Sequence, residues 1–416
     1  MGAPAARAAE LSRHWARMGH SVTVLTGFPN HPTGVVPPEW GDRLRQLRYS
    51  EVTDGVRVER TWLWPLPNRK AHERIRNYVS FCLSAGFSGL DLPTPDVVIA
   101  TSPQLLCALA GWWIAWWKRV PFVFEVRDLW PESLAAVGAG GEGTLLHRTL
   151  GAIADFLYQR AERIVVVTPA FKEHLVTHRG VAAEKIEIVQ NGVETELFRP
   201  DAKAAEEIRK RLGLERHFVI CYIGTMGMAH GLETLIAAAE ELQTTMPEAR
   251  FVLIGEGAEK QNIKQLAANR HLDNIQFLDQ QPRESIPAFV SAADLCLVLL
   301  KRTDLFKTVI PTKLLEYMAC ARPVVVGVDG QSRSIVEEAG AGVFVEPENS
   351  LALAGTIREL AGDSARRQQM GSNGRRYIVE RLSRERTARD YVEVLEELLR
   401  SVRKRKNEAA SEISSR

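Results

Sequence analysis

Stretches rich in β-branched residues alternate with helical stretches along the whole chain, and this alternation is the strongest constraint on its fold. The predicted strands are residues 21–25, 96–100, 122–126, 163–167, 185–189, 218–224, 250–255, 274–279, 295–300, 322–327 and 342–346. Continuous apolar strands separated by amphipathic helices predict parallel sheets that are covered on both faces. Because a single sheet of eleven strands is unusual, we expect an α/β protein with two doubly wound domains.

The boundary between the two domains is expected near Phe198-Arg199-Pro200, where the first series of strands ends. We therefore predict Rossmann-like domains over residues 1–198 and 199–380. A helix over residues 381–402 follows the last predicted strand and is expected to cross back to the first domain. Residues 403–416 contain few apolar residues, which predicts a disordered tail.

The chain opens with a predicted helix over residues 5–18, and no predicted strand precedes it. Gly2, Ala3 and Pro4 resemble the glycine turn that leads from a first strand into a first helix. In a doubly wound sheet that strand is central, so its loss leaves two strands without a partner. We therefore expect that the first strand of the N-terminal domain is missing and that the true start lies upstream of Met1. The alternative is a fold that begins with a helix.

Composition excludes several classes of protein. The 53 basic and 51 acidic residues give a net charge of +2, so no global field favours nucleic acid as a partner. The five cysteines have no C-x-x-C spacing, which favours reduced thiols in a cytoplasmic protein over disulfides or a metal site. The longest apolar run, residues 105–117, is too short to span a bilayer and is interpreted as a buried helix that covers a sheet.

Residues 310–326, IPTKLLEYMACARPVVV, have the features of a nucleotide-diphosphate site. Thr312 is predicted to cap a helix, Lys313 follows it, and Glu316 lies one turn further on. A helix N-terminus with a lysine favours phosphate, and a carboxylate can accept hydrogen bonds from a ribose diol. The alternative is an ordinary capped helix with an exposed lysine and glutamate.

A glycine-rich turn after the strand at residues 218–224 provides a second phosphate-binding element, containing Gly224, Thr225, Gly227 and His230. Glycines let backbone N–H groups approach a phosphate, and His230 would add charge or a hydrogen bond. The alternative is a tight turn with no ligand. Lys307 brings a second lysine near Lys313, although solvated lysines are common in such loops.

Two further turns follow predicted strands. Glu256 lies between two glycines in an incomplete dinucleotide fingerprint, because Lys260 replaces the third glycine. We interpret this turn as lining a base pocket, which makes a nicotinamide-dependent oxidoreductase less favoured. Arg127 and Asp128 follow the strand at residues 122–126, where Asp128 or Glu132 either holds an acceptor hydroxyl or caps the next helix.

Seven motifs in this order resemble the retaining GT-B glycosyltransferases of family 4: GAPAAR, GHSVTVLTGFP, FVFEVRDLWPES, VTPAFKEHL, IVQNGVETELF, YIGTMGMAHGLETL and VIPTKLLEYMACARPVVV. The resemblance covers nearly the whole chain and is closest to the bacterial WbuB-type fucosaminyltransferase branch. It implies two facing Rossmann-like domains, an N-terminal acceptor domain and a C-terminal sugar-nucleotide domain. It further implies transfer of a sugar, with retention and without a metal or other cofactor, from a UDP-linked N-acetylated deoxysugar to a lipid-linked or saccharide acceptor in O-antigen or capsule synthesis.

By position, the resemblance implies a role for individual residues. Glu316 would bind the ribose, and Thr312 and Lys313 would contact the diphosphate. Gly2 and Ala3 would belong to a loop that closes over the phosphates and the donor sugar. The chain departs from the wider family at three places: Thr308 replaces an acidic residue, Arg127 replaces a histidine, and Thr225 and His230 replace a basic pair.

Residues 61–78 form a basic stretch flanked by aromatic residues, which predicts peripheral contact with an anionic membrane at its inner face. The alternative is an ordinary surface helix. Two other functions stay open for the chain: a sugar-nucleotide epimerase of the same architecture, and a binding protein without catalysis.

Overall fold

The computed structural model describes residues 3–30, 34–67, 70–132 and 144–414. The chain divides into two compact units: Met1–Gln190 with Thr387–Arg416, and Asn191–Arg386. The first unit contains α1 (Ala3–Arg17), β1 (Thr23–Gly27), α2 (Gly41–Leu44), β2 (Arg48–Thr53), β3 (Val56–Thr61), α3 (Ala71–Leu90), β4 (Val98–Thr101), α4 (Leu105–Lys118), β5 (Phe122–Val126), α5 (Leu145–Arg160), β6 (Arg163–Val166), α6 (Pro169–Arg179) and β7 (Ile186–Ile188).

The second unit continues the alternation of helix and strand. Its elements are α7 (Ala202–Leu212), β8 (Phe218–Ile223), α8 (Glu233–Thr245), β9 (Ala249–Ile254), α9 (Lys260–Asn269), β10 (Ile275–Leu278), α10 (Ile286–Ala292), β11 (Leu295–Leu299), α11 (Thr312–Ala319), β12 (Val324–Gly327), α12 (Gln331–Ala339), β13 (Gly342–Phe344), α13 (Ser350–Gly362) and α14 (Ser364–Arg381). The last helix, α15 (Arg384–Ser414), lies mostly in the first unit.

The sheet of the second unit has six parallel strands in the order β10-β9-β8-β11-β12-β13. Successive residues of its central strands belong to two different cores: Cys221 lies on one face, and Ile220 and Tyr222 lie on the other. This alternation follows from the two-residue period of a strand, and it explains why both faces of the sheet are apolar. The predicted doubly wound arrangement is confirmed here.

The described residues of the first unit form two sheets: β4-β5-β6-β7, which is parallel throughout, and β1-β3-β2. The β2–β3 pair is an antiparallel hairpin that the sequence analysis missed. Its turn is Asp54-Gly55, with φ of 54° and 79°, and an Asp-Gly pair between alternating strands is a known hairpin signal.

Strands β1 and β4 each pair with a single strand among the described residues. Each of them is therefore an edge strand within that part of the chain. The expectation that a first strand is encoded upstream of Met1 stays a prediction.

The C-terminal helix packs on α1. Trp15 Nε1 donates a hydrogen bond to the Ala388 carbonyl at 3.0 Å, and the Trp15 and Tyr391 rings are 5.2 Å apart. The helix extends to Ser414, so residues 403–414 are helical and the expectation that they are disordered is wrong. Charged residues four apart, such as Lys404 and Glu408, support a helix in this stretch.

The boundary between the units falls after Gln190 and not after Phe198. Val193 N–H donates to the Leu382 carbonyl at 2.9 Å, and Phe198 is buried in the core of the second unit. These contacts attach the connecting segment to the second unit before the predicted boundary is reached.

Candidate functional site

Two glycine turns lie side by side at the carboxyl ends of β8 and β9. Gly224 N–H donates to Ile254 O and Met226 N–H donates to Glu256 O, both at 2.9 Å, so the strand pairing continues into the turns. Gly255 has a φ of 147°, and a Cβ at this position would lie 2.0 Å from the Gly224 carbonyl oxygen. The glycine at 255 is therefore required by the close approach of the two turns.

Helix α11 is attached to the end of β8 by one side chain. The Tyr317 hydroxyl accepts a hydrogen bond from Ile223 N–H at 2.7 Å and donates to Ile223 O at 3.1 Å. Because Lys313 lies four residues earlier on the same face of the helix, this attachment places Lys313 beside the Gly224 turn. A Cβ at Gly224 would lie 2.8 Å from Lys313 Nζ, so a larger residue at 224 would displace the ammonium group.

Lys313 is a buried cation without a hydrogen-bond partner among the described residues. Its stem is partly exposed, whereas its Nζ is inaccessible to solvent and lies 3.8 Å from the centroid of the Tyr222 ring. Burial lowers the pKa of Lys313 to about 7, and the charge of Glu316 opposes this shift. Burying an unpaired charge is costly, so this position is suited to a lysine that receives an anionic partner.

Glu316 lies about one turn after Lys313 on α11. Its carboxylate is held by an arginine that the sequence analysis missed. Arg283 Nη1 donates to Glu316 Oε1 at 2.9 Å, and both side chains are largely buried. The Arg283 guanidinium also lies 5.0 Å from the centroid of the Phe198 ring. Its place beyond the carboxyl end of β10 was the available signal, because ligand-binding residues of open α/β sheets lie at that edge.

His230 is a neutral neighbour of this group. Burial, and then the charge of Lys313, lowers the pKa of His230 to about 4, which favours the hydrogen bond over the charge as the contribution expected of this residue. The ring lies near Gly227, whose carbonyl oxygen is 3.3 Å from His230 Nδ1. Thr225 is exposed, and its carbonyl accepts a hydrogen bond from the Tyr222 hydroxyl at 2.7 Å.

One expectation about the start of α11 needs correction. Thr312 is the first helical residue and makes no side-chain cap, because Pro311 occupies the N-cap position. Lys307 is exposed on a short helical turn and its Nζ lies 2.8 Å from Asp304, whereas Lys313 Nζ lies against Tyr222. The structure therefore gives the two lysines different surroundings.

Glu256 is partly exposed, and its carboxylate pairs with Lys260 Nζ at 2.5 Å. Lys260 also contacts Asp279 at 2.7 Å, and its own side chain is buried. The lysine that replaces the third fingerprint glycine thus binds two carboxylates of the second unit.

Arg127 and Asp128 lie in the first unit, at the end of β5. Both backbone N–H groups donate to the Ser102 hydroxyl, at 2.8 and 3.2 Å, and Arg127 Nε donates to the Ser102 carbonyl at 3.1 Å. Burial raises the pKa of Asp128 to about 6, although the Arg127 charge opposes this. Beside them, Glu125 forms a buried ion pair with Arg7 of α1 at 3.0 Å, which no sequence motif indicated.

The remaining sequence predictions fall on helices or outside the described residues. Gly2 lies outside them, and Ala3 is the first residue of α1. The predicted helix at residues 105–117 is confirmed as α4, but its last turn is not buried, since Trp116 and Trp117 are more than half exposed. Within the described ranges, no helix is both long and apolar enough to cross a bilayer, and no His/Cys/Asp/Glu group is arranged to hold a metal ion.

In the second unit, a buried ammonium, two glycine turns and a held carboxylate thus gather at the carboxyl edge of a parallel sheet. This arrangement can bind an anion with attached hydroxyl groups.

Residues 204–377 match the family profile of glycosyl transferases group 1, and residues 2–192 match that of the glycosyl transferase 4-like domain.

Known proteins agree with these matches. The chain is 26% identical over 359 residues to the putative colanic acid biosynthesis glycosyl transferase WcaI of Escherichia coli K12, covering 84% of this chain and 86% of that protein. Sucrose-phosphate synthase of Thermosynechococcus elongatus has a similar structure, with a TM-score of 0.77, 20% identity and coverage of 96% and 94% of the two chains. Anabaena HepE in complex with UDP-glucose has a TM-score of 0.69, 17% identity and coverage of 91% and 100%.

The fold is therefore that of the GT-B enzymes. The chain belongs to the GT-B glycosyltransferases, with a glycosyl transferase 4-like domain followed by a group 1 domain.

Proposed function

We propose that this glycosyltransferase moves a sugar from a UDP-linked N-acetylated deoxysugar to a lipid-linked or saccharide acceptor, with retention at the anomeric carbon. We further propose that it needs no metal or other cofactor, that it acts at the cytoplasmic face of the membrane, and that its product is a surface polysaccharide such as O-antigen or capsule. The role of the relative WcaI in colanic acid biosynthesis and the UDP-glucose bound by HepE support this assignment.

The observation that carries the proposal is the buried Lys313 Nζ beside the Gly224 turn. A diphosphate at this place would receive the ammonium charge and the N-terminus of α11 together. When the sugar leaves, negative charge develops on the diphosphate, and these groups would stabilise it. The held carboxylate of Glu316 would accept hydrogen bonds from the ribose hydroxyls.

The test is a screen of nucleotide sugars by thermal shift, followed by transfer to a lipid-linked saccharide. A donor that binds the folded chain must raise the unfolding midpoint. We expect UDP-sugars to do so, and Lys313→Ala and Glu316→Ala to lose most transferase activity while keeping the far-UV circular dichroism of the wild type. Wild-type rates in both variants would overturn the site assignment. Release of a free epimerised nucleotide sugar without acceptor would overturn the reaction in favour of an epimerase.

A further inference from the structure

Helix α3 has an apolar stripe on its exposed face. Ile75, Val79, Leu83 and Phe87 follow one another at intervals of four residues, which places them along one side of the helix. All four side chains are exposed, and those of Leu83 and Phe87 are more than half exposed. An amphipathic surface helix normally turns such a stripe toward the core, so this face lacks the cover that its composition calls for.

Helix α4 extends the exposed apolar surface. A Cβ at Gly86 of α3 would lie 3.5 Å from Trp113 Cδ1, so the two helices pack together at this point. The Trp113 ring lies 5.2 Å from that of Trp116 and 6.2 Å from that of Trp117, centroid to centroid. Since Trp116 and Trp117 are more than half exposed, the indole cluster continues from the α3 contact to solvent.

Most of the charges around this surface are basic, and the exposed Asp91 directly after α3 is an exception. Lys70, Arg74 and Arg76 are exposed at the start of α3, and Arg119 is exposed directly after α4. Glu73 is the single acidic residue in residues 70–90, and there is none in residues 105–119. The Glu73 carboxylate accepts a hydrogen bond from Lys70 N–H at 2.9 Å.

We infer that the exposed faces of α3 and α4 form a docking surface for an anionic lipid bilayer, with the apolar stripe and the indoles in the boundary layer. Tryptophan favours that layer, and arginine attracts anionic head groups. A second copy of the chain fits less well, because a two-fold contact through this face would bring like charges together. The inference goes beyond the transfer reaction, because it concerns vesicle binding that needs no donor.

The surface differs from the stretch that the sequence indicated. Within residues 61–78, Thr61, Leu63 and Asn77 are buried, so they are unavailable to a membrane. The contact surface therefore begins with the basic start of α3 and continues to residues that the sequence analysis had assigned to the interior.

The test is flotation of the full chain with vesicles of phosphatidylethanolamine and phosphatidylglycerol, compared with phosphatidylcholine alone. We expect binding to the anionic vesicles that weakens with salt, and about a tenfold loss of bound protein in Leu83→Glu/Phe87→Glu. The matched control is Leu351→Glu/Val379→Glu, which changes exposed apolar residues on helices of the second unit and should bind as the wild type does.

The charge contribution is tested by Arg74→Glu/Arg76→Glu, which should weaken binding to the anionic vesicles and leave the unfolding midpoint unchanged. The inference would be overturned if the wild type does not bind anionic vesicles, or if the α3 variants bind them as well as the control does. It would also be overturned if the chain forms a dimer without lipid and Leu83→Glu/Phe87→Glu dissociates that dimer. UDP binding, measured on the same preparations, separates these outcomes from failure of the proposed function.

Discussion

Arg283 and Glu316 form an ion pair, with Arg283 Nη1 2.9 Å from Glu316 Oε1, although 33 residues separate them along the chain. The side chains are 22% and 12% exposed, so water screens the pair only partly. The carboxylate proposed to bind the ribose is therefore oriented before any ligand arrives. Such preorganisation lowers the entropic cost of binding.

Arg283→Ala should weaken UDP binding by releasing the Glu316 carboxylate from its position. We expect the dissociation constant to rise about tenfold, equivalent to about 1.4 kcal/mol, measured by isothermal titration calorimetry. In a Glu316→Gln background the same change should have a much smaller effect, because the residue that Arg283 positions is already altered. Equal effects in both backgrounds would show that Arg283 acts independently of Glu316.

Lys313→Met should stabilise the ligand-free chain and weaken UDP binding. Methionine fills a similar volume without the cost of burying an ammonium group, so we expect a gain of about 1 kcal/mol, or about 2 to 4 °C in the unfolding midpoint. The dissociation constant for UDP should rise by about tenfold or more, because a charge-assisted contact is lost. If Lys313 were purely structural, its replacement would not raise the unfolding midpoint while weakening UDP binding.

The control for this variant is Lys307→Met. Lys307 is about half exposed and pairs with Asp304, so its loss should change the unfolding midpoint little. Equal losses of UDP affinity in the two variants would show that Lys307 binds the diphosphate as strongly as Lys313 does.

UDP affinity should fall as the pH rises above about 7. Burial lowers the pKa of Lys313 to about 7, so the free site loses its charge above that pH, and a bound diphosphate restores it by taking up a proton. The nearby His230, whose pKa is lowered to about 4, stays neutral throughout this window, and burial raises the pKa of Tyr222, which also stays neutral. Glu316 is the acidic group that acts on Lys313.

Calorimetry at several pH values measures this dependence. The association constant should approach a fall of about tenfold per pH unit above the pKa of the free lysine. In Lys313→Met the profile should be flat over the same range. A wild-type profile that is equally flat would show that Lys313 does not change its protonation on binding.

The sequence predicted the strands well because buried parallel strands are continuous runs of β-branched residues. All eleven predicted strands are present, whereas β2 and β3 were missed because their pattern alternates with charged residues such as Arg57 and Glu59. The Asp54-Gly55 turn was the signal that would have identified them.

The site was predictable only as far as local spacing allowed. Lys313 and Glu316 lie three residues apart on one helix, so their proximity follows from the helical period. Arg283 comes from a distant loop, and the burial of Lys313 Nζ depends on the attachment of Tyr317 to β8. Neither feature is encoded in a local pattern, which is why the sequence suggested a solvated lysine as its alternative.

Gly255→Ala should disrupt the two paired turns. A Cβ there would lie 2.0 Å from Gly224 O, and the backbone cannot retreat without breaking the Gly224 N–H to Ile254 O bond. We expect a loss of about 1 to 3 kcal/mol in the free energy of unfolding, with weaker UDP binding because the Gly224 turn moves relative to Lys313. Gly355→Ala is the matched control: Gly355 is exposed within α13, a Cβ there meets no atom within 4 Å, and alanine should stabilise that helix by about 0.5 to 1 kcal/mol. Urea unfolding of both variants measures the difference, and a Gly255→Ala chain as stable as the wild type would show that the turns tolerate separation.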